Sequence, residues 1–420
     1  MTVNMPRGAP QEGPLKPMVV APLPDRPLVS ILISNYNYAD YLGEAIESCL
    51  NQTYDKFELI VCDDGSTDTS CQILRNYQAL DHRIKAMHQV NGGQARALNA
   101  AFHASKGDVI CLLDADDVFL PAKLQCVVDA FAAARDSGFA VNKMLRVDKG
   151  RKSLGEIPLL YQLPSGWLGA SLDLSGPQVL AGLPPTSGLS LRRSVAEAIF
   201  PLPPGLKAYA DRLIQVVAPL MTPLVAIQTP LSEYRVHGAN VGGISQFTER
   251  SIRNLLIYDQ EIWGVWRSYL ASPCSGLASD FPLPSKMRPS LMDYAYARFQ
   301  HDRNFKAAYK AIPHAHFQAL PRPHRWYWRT SILLPGWLFR TSFNFVQGQT
   351  RAKIIVGRIL NACRNAPWLR NRAVAFHLKA QSHDASEKGH PPSVLPHVPR
   401  LEALSQRRQI WAPMFTTKDS

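Results

Sequence analysis

The sequence predicts an α/β protein built on a mostly parallel central sheet, followed by a helical C-terminal region. Three observations carry this. Between residues 28 and 133, short apolar runs alternate four times with segments of helical periodicity. The runs are continuous rather than alternating in polarity, as in parallel strands covered on both faces. Three polar or acidic segments, Ser34-Asn35-Tyr36, Asp63-Asp64-Gly65-Ser66 and Asp114-Ala115-Asp116-Asp117, fall at the carboxyl ends of those runs. Open α/β sheets bind their ligands at such ends.

Taken in order, residues 1–26 carry Pro6, Pro10, Pro14, Pro17, Pro22 and Pro24, which predicts a disordered lead-in. LVSILIS (28–34) is a β-branched run of buried-strand length. NYNYADYLGEAIESCLNQ has apolar residues at Tyr41, Leu42, Ala45, Ile46, Cys49 and Leu50, the spacing of one helix face. FELIVC (57–62) is a second strand. TSCQILRNYQAL is a helix that Thr67 or Asp68 can cap. RIKAMHQ is a third strand, GGQARALNAAFHAS a helix and DVICLL (108–113) a fourth strand. DADDVFLPAKLQCVVDAFAAARD is an acidic loop leading into a helix.

Past residue 140 the pattern loosens. FAVNKMLRV (139–147) predicts a strand, PPTSGLSLRRSVAEAIF a turn into a helix, YADRLIQVVAPLM a helix, and LVAIQTPLSEYRVHG a strand leaving into a loop. Helix is expected over 248–270 and two short helices over 291–311, separated by a Pro/Ser/Gly-rich break. Four regions result: the lead-in 1–26, an α/β domain 27–245, a helical, basic region 246–380, and a disordered tail 381–420.

Of the 420 residues, 46% are hydrophobic and 19% charged, which excludes a mostly disordered chain, a collagen and a simple coiled coil. The net charge of +13 is uneven: residues 1–140 hold 11 basic and 17 acidic side chains, the remainder 35 and 16. The two parts are therefore expected to face different partners. Residues 321–380 hold 11 Lys/Arg and no Asp or Glu, together with Trp326, Tyr327, Trp328, Trp337 and Trp368. Basic and interfacial aromatic side chains suit an anionic membrane surface; an ordinary helical subdomain is the plainer reading. Nucleic acid is the weaker rival, since no nucleic-acid motif accompanies the charge. Apolar stretches of 18 residues are absent, as is a secretory-type start. Seven cysteines show no CxxC spacing and are read as reduced thiols. These features set the expectation of a cytoplasmic protein, attached peripherally to the inner face of the cytoplasmic membrane.

Asp114, Asp116 and Asp117 repel one another, and packing gives no reason to gather them after a buried strand. Oxygen-rich clusters of this kind hold hard cations such as Mg²⁺ or Mn²⁺ beside substrate phosphates. The plain alternative is a solvated acidic turn in which Asp117 caps the next helix. Asp63 and Asp64 suit either a hydrogen bond to a base or ribose or an Asx turn.

The order VSILISNYNYADYLGEAIESCLNQTYDKFELIVCDDGSTDTS, then NGGQARALNAAFHASKGDVICLLDADD, resembles the family 2 glycosyltransferases over about 28–130. It resumes more loosely over 185–240, through PTSGLSLRRSVAEAIFPLP, YADRL and YRVHGAN. The resemblance implies a GT-A type nucleotide-diphospho-sugar transferase fold. It implies sugar transfer, with inversion, from a nucleotide-diphosphate sugar to a glycan or lipid-linked acceptor in surface-polysaccharide or cell-envelope synthesis. The donor it favours is a UDP-sugar, and the cofactor Mg²⁺ or Mn²⁺. By the same resemblance Ser34 and Tyr36 line the nucleotide pocket, Asp64 reads the base, and Arg96 and Asn99 close over the nucleotide. Asp114 opens the motif in which Asp116 and Asp117 meet ribose, metal and diphosphate. Asp211 matches the catalytic base, the second of two acidic positions, with Ala210 standing at the first. His237 matches a late histidine near the metal, or is plain polar surface. Gly188 lets backbone approach the donor sugar, or is a plain turn glycine. Two other classes remain as alternatives. A nucleotidyltransferase lacks its glycine-arginine-rich loop here, and a non-catalytic membrane-binding protein leaves the strand-end acids unexplained. A Rossmann dehydrogenase is disfavoured because no GxGxxG follows the first strand.

Overall fold

A computed structural model describes residues 15–157, 163–169, 183–237, 247–277, 290–302, 304–312 and 322–347, with isolated positions between 283 and 287. The first 14 residues, positions 348–380 of the basic segment and the 381–420 tail lie outside the described residues.

The four expected strand–helix repeats form. They are β1 (Val29–Asn35), α1 (Ala39–Leu50), β2 (Phe57–Asp63), α2 (Ser70–Leu80), β3 (Ile84–His88), α3 (Gln94–Ala104), β4 (Val109–Asp114) and, after a two-residue strand β5 (Val118–Phe119), α4 (Lys123–Ala133). Strands β3, β2, β1 and β4 lie side by side in that order, all parallel. Their register places Asn35 opposite Asp63 and Ser34 opposite Asp114. The polar ends of three strands therefore share one sheet edge. The side-chain alternation of β1 sorts the two cores: Ile31 and Ile33 pack with α1, α2 and α4, while Leu32 faces α3 and the helices that follow.

The second half of the sheet is mixed. It contains β6 (Phe139–Asp148), β7 (Ser153–Ile157), β8 (Leu189–Arg192) and β9 (Leu224–Val236), with α5 (Arg193–Ile199) and α6 (Ala210–Met221) between the last two strands. The order continues from β4 through β8, β6 and β9 to β5, and β7 pairs with β6. Strand β8 runs antiparallel to both β4 and β6. The sequence reading expects only a turn and a helix there, because four residues carry too little periodicity to announce a strand. The partners β4 and β6 define it. Helix α6 buries nearly all of Leu213–Met221, as a helix apolar on all sides must.

The expected lead-in differs over its last part. Residues 15–26 form no helix or strand, but Leu15 and Val20 are 2% and 8% exposed and join the core beside α5 and α6. The Met18 amide donates to the Met221 carbonyl, and Arg192 Nη1 donates to the Ala21 carbonyl. The prolines set an extended path, and burial of the apolar residues between them holds it down.

Helix α7 (Glu249–Leu270) starts at a capping box made by Thr248 and Ser251. With α8 (Leu291–Phe299), α9 (Phe305–Lys310), α10 (Arg322–Ser331) and α11 (Gly336–Gln347) it encloses an aromatic cluster of Tyr294, Trp328, Phe339 and Phe343. Arg298 lies between the rings of Phe305 and Phe339, 4.4 and 4.6 Å from their centroids. The aromatics of the basic segment are thus divided. Tyr327 and Trp328 are core residues, whereas Trp326 and Trp337 stand 71% exposed. No helix among the described residues is long and apolar enough to cross a membrane.

The packed strip yields a test. Burying an aliphatic side chain contributes roughly 1.5–3 kcal/mol. A chain lacking residues 1–26 should therefore unfold at a clearly lower denaturant midpoint. An unchanged midpoint would mean that the strip is not part of the folded core.

Candidate active site

One cavity of about 530 Å³ opens over the carboxyl ends of β1, β2 and β4. Its lining brings together Ser34, Tyr36, Asp64, Asp114, Asp116 and Asp211 from the sequence reading. They come from positions up to 177 residues apart, Ser34 to Asp211.

Asp64 sits at the turn after β2 and is 3% exposed. Its Oδ1 accepts from Gln89 Nε2 at 2.6 Å and the Gly92 amide at 2.9 Å, and its Oδ2 from the Gly93 amide at 2.7 Å. A carboxylate offers about four acceptor positions, so room remains for one further donor. Gly93 makes this possible. Its φ of +91° is open to glycine, and an added Cβ would lie 2.6 Å from Lys207 Cα. Tyr36, 46% exposed, lies on the same lining.

The carboxylates of Asp114, Asp116 and Asp117 have ligand oxygens within 4.8 Å of one another. Burial, then repulsion by Asp116 and Asp211, pushes the Asp114 carboxyl well above the usual range. Burial, then Asp116 and Asp114, does the same to Asp117. A hard divalent cation fits this all-oxygen set and would relieve the repulsion. Asp117 does not line the cavity. It accepts from Ser187 Oγ at 2.6 Å and from the Arg235 amide at 2.9 Å. His237 Nε2 lies 2.9 Å from Asp116 Oδ2, with its ring 4.5 Å from that of Tyr41. It therefore meets the cluster through Asp116.

Asp211 is in the first turn of α6, and burial raises its carboxyl above the ordinary range. The Arg212 amide donates to its Oδ1 at 2.9 Å. Gln94 joins this helix to the acidic turn: its Nε2 donates to Asp114 Oδ1 at 3.2 Å and its Oε1 accepts from the Ala210 amide at 3.1 Å.

Three further expected site residues lie off the cavity lining. Asn99 is absent from the cavity. Its Nδ2 donates to the Leu202 carbonyl at 2.8 Å and its Oδ1 accepts from the Leu202 amide at 2.7 Å, so its amide clamps the chain after α5. Arg96 is exposed on the outer face of α3 and does not line the cavity. Gly188 is buried in a 3₁₀ turn, Thr186–Gly188, where an added Cβ would lie 2.5 Å from Pro184 Cβ. There it allows the close packing of Pro184.

Sequence reasoning missed Gln94, Lys207, Tyr209 and Tyr234, all on the lining, and Arg235 beneath it. Arg235 is 1% exposed. Its Nε donates to the Asp116 carbonyl, Nη1 to the Lys149 carbonyl and Nη2 to Glu44 Oε2, at 2.8, 2.9 and 2.8 Å. The YRVHG segment that drew attention to His237 already contained it.

Residues 30–160 match the model of glycosyl transferase family 2, and this stretch of the chain is similar to glycosyltransferases of that family. An uncharacterized glycosyltransferase of Nostoc sp. is 38% identical over 218 residues, 50% of this chain and 66% of that one. The glycosyltransferase GlyG of Streptococcus pneumoniae is 41% identical over 92 residues, 22% of this chain and 31% of its own. The chain thus spans just under two thirds of the first relative and about a third of the second. The crystal structure of S. aureus TarS residues 1–349 with UDP-GlcNAc overlaps in outline at 18% identity. It covers 72% of this chain and 87% of that one, with a TM-score of 0.47.

The Asn99 clamp can be separated from the cavity. Leaving two partly buried backbone groups unpaired costs about 1–3 kcal/mol each. Asn99→Ala should lower the melting temperature while leaving the affinity for a nucleotide diphosphate unchanged. A large loss of affinity at full stability would return Asn99 to the binding site.

Proposed function

We propose that this chain transfers a glycosyl group, with inversion, from a nucleotide-diphosphate sugar to a hydroxyl of a glycan or lipid-linked acceptor. The observation that carries the reading is the division of labour within one cavity. A base-reading carboxylate, an oxygen cluster for a cation and a separate buried carboxylate line the same space. Tyr36 offers a ring face and Asp64 an acceptor, which suits a uracil base and favours a UDP-sugar. Asp116 and Asp117, with Asp114 in the same cluster, would hold Mg²⁺ or Mn²⁺. That ion supplies neutralisation of charge on the departing diphosphate.

Asp211 is the general base of this reading. It takes the acceptor hydroxyl proton, the freed oxygen bonds to the anomeric carbon, and the bond to the diphosphate oxygen breaks. A carboxyl raised above its ordinary range is a stronger base, closer to the ideal for work near neutrality. Gln94 ties this helix to the acidic turn, so base and leaving-group site keep their spacing. Glu233 is a poor rival base: it is held by Arg151 Nε at 2.7 Å and is not on the cavity lining.

The helical region supports docking on an anionic membrane, which would bring a lipid-linked acceptor of the cell envelope within reach. Trp326, Leu333 and Trp337 are exposed on α10, α11 and the turn between them, and four arginines lie in 322–347.

Four outcomes are expected. UDP-sugars with Mn²⁺ should raise the melting temperature, since ligand at 100 times its dissociation constant adds about 2.7 kcal/mol. Asp116→Asn should remove the metal-dependent part of that shift, and an undiminished shift would argue against the cluster as the cation site. Asp211→Asn should keep donor binding and lower UDP release by about 10²–10⁴-fold. Wild-type turnover in that variant would place the base elsewhere. Finally, the full chain should co-sediment with anionic but not neutral vesicles, and changing both Trp326 and Trp337 to Ala should weaken this. Equal binding to both vesicle types, or none, would leave the region a plain helical subdomain.

A further inference from the structure

A second cluster of ligating atoms lies one residue behind Asp64. Asp63 ends β2 and His88 ends β3, and the parallel ladder pairs them directly. Helix α2 connects these strands, and its first turn sets Cys71 over both. Cys71 Sγ lies 3.3 Å from Asp63 Oδ2 and 3.5 Å from His88 Nδ1, and those two atoms are 3.9 Å apart. Tetrahedral zinc, with bonds of about 2.3 Å to sulfur and about 2.0–2.1 Å to nitrogen and oxygen, separates its ligands by about 3.3–3.6 Å. The three atoms are therefore spaced close to a zinc half-shell.

We propose that Asp63, Cys71 and His88 form a zinc-binding site, with the remaining coordination position open to water. The donor set separates it from the acidic turn. Thiolate, imidazole and one carboxylate suit borderline-soft Zn²⁺, whereas the all-oxygen cluster of Asp114, Asp116 and Asp117 suits Mg²⁺ or Mn²⁺. The buried member is already oriented. Asp63 Oδ1 accepts from Asn35 Nδ2 at 2.7 Å and from Ser66 Oγ at 2.5 Å, and Oδ2 accepts from the Ser66 amide at 3.0 Å. Such outer contacts hold a ligand carboxylate in one pose. The His88 side chain is 43% exposed, which leaves an entry path. On binding, the Cys71 thiol gives its proton to solvent and sulfur takes the metal in its place. The site also adjoins the nucleotide end of the cavity, because Asp63 precedes Asp64 and His88 precedes Gln89, the donor to Asp64. The proposal does not rest on the sugar-transfer reading.

The test uses the full chain, reduced, stripped of metal and held in excess Mg²⁺ so that the all-oxygen cluster is occupied. Added Co²⁺ should produce thiolate-to-cobalt charge-transfer absorption, and Zn²⁺ should displace it. Competition with a chromophoric chelator should count one more zinc equivalent in the wild type than in Cys71→Ser, and His88→Gln should bind that equivalent more weakly. Both positions are partly exposed, and melting curves check that each variant remains folded. Equal zinc stoichiometry and an equal cobalt spectrum in wild type and Cys71→Ser would overturn the proposal and leave a hydrogen-bonded cluster only.

Discussion

The fold depends on holding several negative charges in one buried turn. Asp114, Asp116 and Asp117 follow β4 directly, and two of them are driven above the ordinary carboxyl range by burial and mutual repulsion. Arg235 anchors this turn: its amide donates to Asp117 Oδ1 and its guanidinium to the Asp116 carbonyl. From β9 it reaches the acidic turn, the loop after β6 and Glu44 on α1, with its guanidinium 5.0 Å from the Tyr41 ring. A buried guanidinium with its donors satisfied is stable where an unpaired one is costly. One residue thus commits four parts of the chain to a single arrangement, and the mixed half of the sheet closes around it.

That mixed half completes the cavity over the parallel strands and gives it a second end. Strand β8 wedges between β4 and β6, and the 3₁₀ turn before it places Ser187 Oγ between the Asp114 amide and the Asp117 carboxylate. Helix α6 then presents its first turn to the same space. Its position is fixed by two backbone bonds from Gln94 and Ala95 to Lys207 and Leu206, and by the Gln94 side chain. The Asp64 end of the cavity is held in a different way. Asp64 is held by Gln89 Nε2 and by the amides of Gly92 and Gly93, the second of which has a φ of +91° that favours glycine.

Two carboxylate environments within one sheet edge show how local contacts sort chemistry. Burial raises Asp63, but hydrogen bonds from Ser66 and Asn35 outweigh it and hold that carboxyl below the ordinary range. At Asp114 the same burial has fewer hydrogen bonds against it and two acidic neighbours beside it. The first is a fixed anion suited to a single ligand bond. The second is a cluster that calls for external positive charge.

The sequence by itself determined the parallel half of the sheet, because buried strands and amphipathic helices write their period into neighbouring residues. It also determined the acidic turn, since Asp114, Asp116 and Asp117 are local and sit at a strand end. Asp64 and Asp211 were legible only through the family pattern, as each alone reads as a turn or cap. Tertiary structure decided what depends on distant partners. Strand β8 exists because β4 and β6 flank it, and residues 15–26 are ordered because α5 and α6 bury Leu15 and Val20. Asn99 faces Leu202 rather than the cavity, and Arg96 faces water, because helix phase is fixed by packing and not by nearness to a motif. Gln94 and Arg235 carry no signal at all in their own segments. Their roles consist of hydrogen bonds to residues distant in sequence, Ala210 for Gln94 and Asp116 and Glu44 for Arg235 among them, which only the closed chain brings together.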